Sequence, residues 1–347
     1  MTIDSFQEYR VDLGELHNWL PWGGLVAPQI VRNKDNSLMG FIRYQKGAKR
    51  ILLAKENGRN LGKGWATWSE LRHFQGRDER TLTLCWNPFC ERKNGRILNA
   101  PGRASCRLQE AESVFLAALQ SFCQGLQLQT AKILQNEEVL QYLAETLTGE
   151  PSAIAMYSPP LYLDAVLSRD VKFQVFGKAT KKKNDLSIGG REITVVTPLG
   201  HPESSVLAKL FEAFSAYDYR FTKRFLFWDA DGAEKELNQY MRSWCKGRGK
   251  LKSFMRQQTL RGFNGVYTDT FVFRFAPEER EKEEAHLAET FRAFGLPHIF
   301  EDYNRKHVWW GTLPGCFRAN IVTPLGGIDA FSELLLEEEH DVQAESL

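Results

Sequence analysis

The chain has 347 residues, 43% hydrophobic and 25% charged, with a formal net charge of +2. That length gives room for two cores, and the composition excludes a disordered chain. The near-neutral balance encodes no global attraction to nucleic acid. No run reaches the roughly 18–20 apolar residues of a membrane span, since the best stretch, residues 113–123, is short and interrupted by Gln120. Residues 1–14 hold acids and no apolar run, so no secretory leader is expected there.

The first half opens on a Trp- and Gly-rich stretch, Trp19-Leu-Pro21-Trp22-Gly-Gly. A hairpin follows, with strands over 29–32 and 38–44 around the polar turn Asn33-Lys-Asp-Asn36. Residues 64–71 and 81–86 read as further strands. In the second of these, Leu82, Leu84 and Trp86 alternate with Thr81, Thr83 and Cys85, which predicts that one set lies on a core face. Over 110–126, Val114, Phe115, Ala118, Leu119, Phe122 and Leu126 fall at helical spacing as one apolar stripe. A second helix over 136–147 carries Val139, Leu140, Leu143 and Leu147.

Residues 150–160 lack periodicity and hold three prolines, which remove amide donors and restrict the preceding residue. The boundary is placed there, between a lobe at 1–150 and a second lobe at 155–330. In the second lobe a strand over 193–197 follows the turn Gly189-Gly190, and a helix over 204–215 carries Val206, Leu207, Leu210, Phe211 and Phe214. A strand over 220–228 leads to an amphipathic helix over 232–246. The strand over 266–275 alternates Phe271, Phe273 and Phe275; a charged helix over 277–294 and a strand over 298–303 follow. Around residues 310–315, the glycines and Pro314 are expected to shape a turn, with Trp310 in the core. The acidic, aperiodic tail 331–347 is expected to fray. Several strands are half-polar, which predicts an α+β fold of two lobes, each a mostly antiparallel sheet packed with helices.

Chemistry-bearing motifs are sparse. A phosphate loop needs Gly-x-x-x-x-Gly-Lys-Ser/Thr, because backbone amides wrap the phosphates and a hydroxyl holds magnesium. Gly62-Lys63 is followed by Gly64, and Gly177-Lys178 by Ala179, with Lys172 at the first glycine position. The glycines of residues 58–65 read instead as a turn into a strand at Trp65. Asp229-Ala-Asp231-Gly232 lacks the closing acid of a calcium loop, Tyr240 standing at that position. It reads as a helix cap, Asp231 with Glu234. The six cysteines, Cys85, Cys90, Cys106, Cys123, Cys245 and Cys316, include no Cys-x-x-Cys pair, so reduced buried thiols are expected, and no metal site. Lys181, Lys182, Lys183, Lys246, Arg248 and Lys250 form a candidate basic patch, without interleaved aromatics for base stacking. Trp19 and Trp22 suit either an interfacial anchor or a plug at the base of the first lobe. No catalytic residue, bound cofactor or metal ligand is assigned.

In order along the chain, several segments resemble one family. These are residues 19–28 with Asn33-Lys-Asp35, Leu61-Gly62-Lys-Gly64-Trp65-Ala66, and residues 81–88. Then come Ile188-Gly189-Gly190 with residues 193–196, and Tyr219-Arg220 through Arg224-Phe225. Last is Trp310-Gly311-Thr-Leu-Pro314-Gly315 with Ala319-Asn320. Together they resemble the N-terminal region of the CagE/TrbE/VirB group of type IV secretion and conjugal-transfer ATPases, over roughly residues 19–324. The interval between Trp68 and Thr81 is shorter than that family's, and the chain ends about where its RecA-like motor domain would begin.

The resemblance implies a cytoplasmic energising subunit, peripheral at the inner membrane. Its partners would be inner-membrane type IV secretion components, a small membrane-embedded subunit, and a separate ATPase domain or further copies of the chain. ATP and magnesium enter only if a motor domain is supplied elsewhere. The expected function is a non-catalytic docking module. Two alternatives stay open: a truncated or split half of an active ATPase, and a basic nucleic-acid-binding accessory protein.

Overall fold

A computed structural model describes residues 8–10, 21–45, 64–89, 92–98, 100, 103, 105–126, 131–148, 173–176, 185–188, 191–199, 202, 204–227, 265–302, 305–316 and 323–325. The first half contributes β1 (Glu8–Arg10), β2 (Trp22–Ala27), β3 (Ile30–Asn33), β4 (Leu38–Tyr44), β5 (Trp65–Phe74) and β6 (Arg77–Trp86). It continues with β7 (Arg92–Lys93), β8 (Arg96–Leu98), β9 (Ser105–Arg107), helix α1 (Ala111–Gly125), β10 (Ala131–Ile133) and helix α2 (Asn136–Thr148). The second half contributes β11 (Phe173–Phe176), β12 (Asp185–Ile188), β13 (Arg191–Pro198), α3 (Ser204–Ala213), β14 (Tyr219–Phe227) and β15 (Gly265–Phe275). After these come α4 (Arg280–Ala293), β16 (His298–Phe300), α5 (Arg305–Gly311) and β17 (Thr323–Leu325).

The class is α+β with antiparallel pairing throughout the described ladders. Strands of both halves lie in one sheet, in the order β1-β11-β12-β13-β15-β14-β5-β6-β4-β3-β2. The junction is the β14–β5 ladder, in register from Tyr219↔His73 to Leu226↔Ala66. A small second sheet holds β7, β8 and β9.

One face of the shared sheet carries α1 in the first half and α3 and α4 in the second, while α2 lies on the other face. In the first, the predicted stripe of α1 is buried against Leu38, Ile42, Leu82, Leu84 and Trp86. Gly40 permits the approach: a Cβ there would lie 2.2 Å from Leu119 Cδ2. In the second, α3 and α4 bring Phe214 and Phe291 onto Phe271, Phe273 and Phe221, with the Phe221 and Phe271 centroids 4.5 Å apart. Such pairs add about 0.5–1.5 kcal/mol each beyond burial. Phe225 belongs to the first half's core and Leu71 to the second's, a consequence of the β14–β5 register.

The predicted hairpin of β3 and β4, the two helices after it, and the Phe-alternating strand all form. Three details differ. Residues 72–80, which read from sequence as a gap between strands, are strand almost throughout: β5 and β6 pair down to Phe74↔Arg77 through the turn Gln75-Gly76. Both turn residues have positive φ (48° and 71°), the two-residue hairpin geometry. Thr81, Thr83 and Cys85 are as buried as Leu82, Leu84 and Trp86, because α2 covers the face opposite α1. Trp309, not Trp310, fills the core at 2% exposure, since α5 turns Trp309 inward and leaves Trp310 half-buried against it. The expected boundary at 150–160, the helix over 232–246 with its cap, and the tail 331–347 lie outside the described residues.

Candidate functional site

Period-two geometry places Trp68, Glu70 and Arg72 of β5 on the face away from α1. The β14 register sets Arg224 opposite Trp68, Thr222 opposite Glu70, and Arg220 opposite Arg72. Two guanidinium groups directly opposed would repel, and Glu70 resolves this by bridging them. Its Oε1 accepts from Arg72 Nε at 2.5 Å and its Oε2 from Arg220 Nη1 at 2.9 Å. The Glu70 side chain is 1% exposed, Arg220 9% and Arg72 11%. Burial alone would raise the Glu70 carboxyl, but the two guanidinium groups outweigh it and hold the pKa below the usual carboxylate range.

Arg72 extends the network into α2. It donates to Glu145 Oε2 at 3.1 Å, to the Tyr142 carbonyl at 2.9 Å and to Thr146 Oγ1, while its guanidinium lies 4.1 Å from the Tyr142 ring centre. Arg220 extends it the other way, donating to the carbonyl (3.3 Å) and hydroxyl of Thr312. Arg224 Nη1 donates to the Gly311 carbonyl at 2.8 Å and the Cys316 carbonyl at 3.3 Å. A cation at this spot suits the C-terminal end of α5, where carbonyls lack helical partners.

The turn after α5 is held from the far side as well. Trp22, fully buried, donates its indole N–H to the Pro314 carbonyl at 2.9 Å. Trp68 donates its indole N–H to the Gly311 carbonyl at 3.5 Å, and Asn33 Nδ2 to the Gly315 carbonyl at 3.4 Å. Gly315 has φ +84°, and a Cβ there would lie 2.4 Å from Asn33 Nδ2 and 2.5 Å from Met39 Sδ. The Pro21 carbonyl accepts from the Lys34 amide at 2.8 Å, tying the start of β2 to the β3–β4 turn.

Of the residues singled out from sequence, Trp22, Arg220, Arg224, Gly311, Pro314 and Gly315 thus meet in one buried clasp around residues 309–316, and Pro21 adjoins it through Lys34. Trp310 flanks it. Gly64 and Trp65 stand elsewhere: Gly64 (φ 91°) leads into β5 and its carbonyl accepts from Asn87, while Trp65 stacks on Trp86 at 5.5 Å on the α1 face. Full burial makes Trp22 a plug and not an interfacial anchor. Trp19, Gly62, Gly189, Gly190, Lys181, Lys182, Lys183, Lys246, Arg248 and Lys250 lie outside the described residues.

Sequence reasoning misses Glu70, Arg72, Tyr142 and Thr312. Their one available signal is the alternation of charge with apolar residues along β5 and β14, in strands whose neighbours read as buried. Among the cysteines, burial pushes the Cys85 thiol well above its ordinary pKa, and Cys106 and Cys123 are buried too. Cys90 and Cys245 lie outside the described residues.

Beside the clasp, on the same sheet face, a cleft of about 570 Å³ opens between α2 and Trp309 of α5. Arg72, Arg220, Val272 and Arg274 lie on its floor and Gln141 and Glu145 on its α2 wall. Charge of both signs, beside the apolar side chains of Ile188, Ile193, Val272 and Trp309, suits recognition of a polypeptide segment.

The class defined by these features is an antiparallel α+β module whose motif residues are spent on holding its own halves together. No family model matches the chain. Among known proteins it is similar to one from Sinorhizobium fredii, named as the second portion of a probable conjugal transfer protein TrbE, at 24% identity over 232 residues. The matched stretch is 59% of this chain and 33% of that protein, so the chain spans about a third of the relative's length. The likeness is thus a distant one, to part of a protein named for conjugal transfer. No described helix is long and apolar enough to cross a membrane.

Proposed function

We propose that this chain is a non-catalytic module, corresponding to the N-terminal and central region, of a conjugal-transfer or type IV secretion energising subunit. It docks to inner-membrane components or to a separately encoded ATPase and sits on the cytoplasmic side. One observation carries this reading. The residues that carry the family resemblance, Trp22, Arg220, Arg224, Gly311, Pro314 and Gly315, are all spent in the buried clasp, in bonds to one another or to Thr312 and Asn33, and line no reaction centre among the described residues. Residues used in that way support a rigid coupling piece. The cleft beside the clasp is the surface best suited to receive a partner segment.

The test is co-expression with the inner-membrane components of a conjugal-transfer system, followed by affinity capture of this chain. Specific co-purification, weakened by Gly315→Ala, is the expected result. ATP turnover by the purified chain alone, abolished by a point substitution within it, would overturn the reading.

A second reading, the split half of an active ATPase, is favoured by the relative's name, which describes a TrbE divided into separate portions. A neighbouring open reading frame encoding Gly-x-x-x-x-Gly-Lys-Ser/Thr, whose product forms an active ATPase with this chain, would establish it.

A further inference from the structure

The small sheet presents a charged face that the clasp does not use. Its first hairpin turns through Asn94-Gly95, both at positive φ (51° and 71°), the two-residue geometry that fixes register. Lys93 is thereby set opposite Arg96, and Arg96 opposite Arg107. Directly opposed residues share a face, so three cations stand in a row across three strands, about 10 Å from end to end at ordinary strand spacing. The other face holds Ile97 and Cys106, 2% and 0% exposed, on the core under α1.

Such a row is a cost to the fold, because like charges directly opposite destabilise a sheet. The nearby acids among the described residues do not relieve it. Glu110 pairs with Arg103 at 2.8 Å and Glu112 with Arg32, while Arg96 Nε donates to the neutral Ser105 hydroxyl at 2.8 Å. Residues 89–107 hold five cations and one acid, in a chain whose net charge is only +2. Leu108 directly follows Arg107 with its side chain 46% exposed, the large apolar side chain most open to solvent among the described residues. The neighbouring aromatic, Phe89, has one ring face occupied by the Arg92 guanidinium at 3.9 Å.

We propose that the face built by Lys93, Arg96 and Arg107, with Leu108 at its edge, docks on an anionic phospholipid bilayer. A flat row of cations matches a plane of headgroup phosphates, and an exposed leucine beside it enters the acyl boundary. Single-stranded nucleic acid is held instead in a groove along its backbone with open aromatic platforms, and a duplex offers no acyl boundary for the exposed leucine. Vesicle binding by the purified chain neither needs nor tests the conjugal-transfer reading, since it depends on this face alone.

The experiment is flotation of the full chain with vesicles of phosphatidylcholine, with and without phosphatidylglycerol. Binding is expected only to the anionic vesicles and should weaken as salt rises. Combining Lys93→Gln, Arg96→Gln and Arg107→Gln should lower the partition on the order of a hundredfold. Each single substitution should take a share. The triple variant should melt at or above the parent's temperature, which separates lost binding from lost folding. Leu108→Ser should lower the partition severalfold and leave the salt dependence unchanged. Equal binding to neutral vesicles would overturn the proposal, as would an unchanged partition of the triple variant. So would row-dependent binding of a DNA oligonucleotide by a chain that ignores anionic vesicles.

Discussion

Replacing Glu70 by Gln strips the shared counter-charge from two buried guanidinium groups, and the structure says which of them suffers more. Arg72 keeps Glu145 at 3.1 Å and Glu79 at 3.9 Å. Arg220 keeps the neutral oxygens of Thr312. Removing one partner of a buried ion pair costs about 3–5 kcal/mol, much of it the penalty of the charge left behind. A loss of about 4 kcal/mol would be a large share of the 5–15 kcal/mol that holds a typical protein folded. The assay is urea unfolding of the single variants and of two double-mutant cycles, with a constant slope as the check on two-state behaviour. Glu70→Gln with Arg220→Met should show a coupling of about 2–3 kcal/mol, and Glu70→Gln with Arg72→Met nearer 1 kcal/mol. A cost below about 1 kcal/mol for Glu70→Gln, or a larger coupling to Arg72 than to Arg220, would refute the reasoning.

The same carboxyl sets a pH dependence. Its folded pKa is lowered, so its stabilisation is complete above the unfolded carboxylate value and is lost as pH falls through the folded one. Acid unfolding should therefore be shallower in Glu70→Gln than in the parent, read by circular dichroism. Glu145 runs the other way: burial raises its pKa despite Arg72, so its contribution is greatest below the unfolded value and fades as pH rises through the folded one. Gly315→Ala meets both a left-handed φ and contacts at 2.4 and 2.5 Å, and should cost about 3 kcal/mol in a denaturant titration. Gly40→Ala should cost about 1–3 kcal/mol through its collision with Leu119, and Leu119→Ala in the same chain should recover some of it. Trp22→Phe leaves the buried Pro314 carbonyl without its donor and should lower stability by about 1–3 kcal/mol.

Local periodicity carries much of the fold. The stripe of Val114, Phe115, Ala118, Leu119 and Phe122 and the alternation of Phe271, Phe273 and Phe275 announce their elements directly. Arg72–Phe74 and Arg77–Arg80 read from sequence as connection, because polar residues mark a loop unless a partner strand covers them. Here each strand supplies that cover to the other. The clasp is legible as a set of motif positions but not as one place. Arg220 meets Glu70 across 150 positions and Trp22 meets Pro314 across 292, distances over which no local pattern speaks. The choice between Trp309 and Trp310 is likewise invisible, since it depends on how the short helix α5 is rotated onto the sheet.

The exchange of Phe225 and Leu71 between the two cores has a bearing on how such a chain can be cut. A break in a connecting segment would leave two pieces, each lacking a side chain that its own core expects. Each piece would also present the bare rim of β5 or β14, backbone groups ready to pair with whatever strand arrives. Reunion of the two pieces would restore both cores and cover both rims at once.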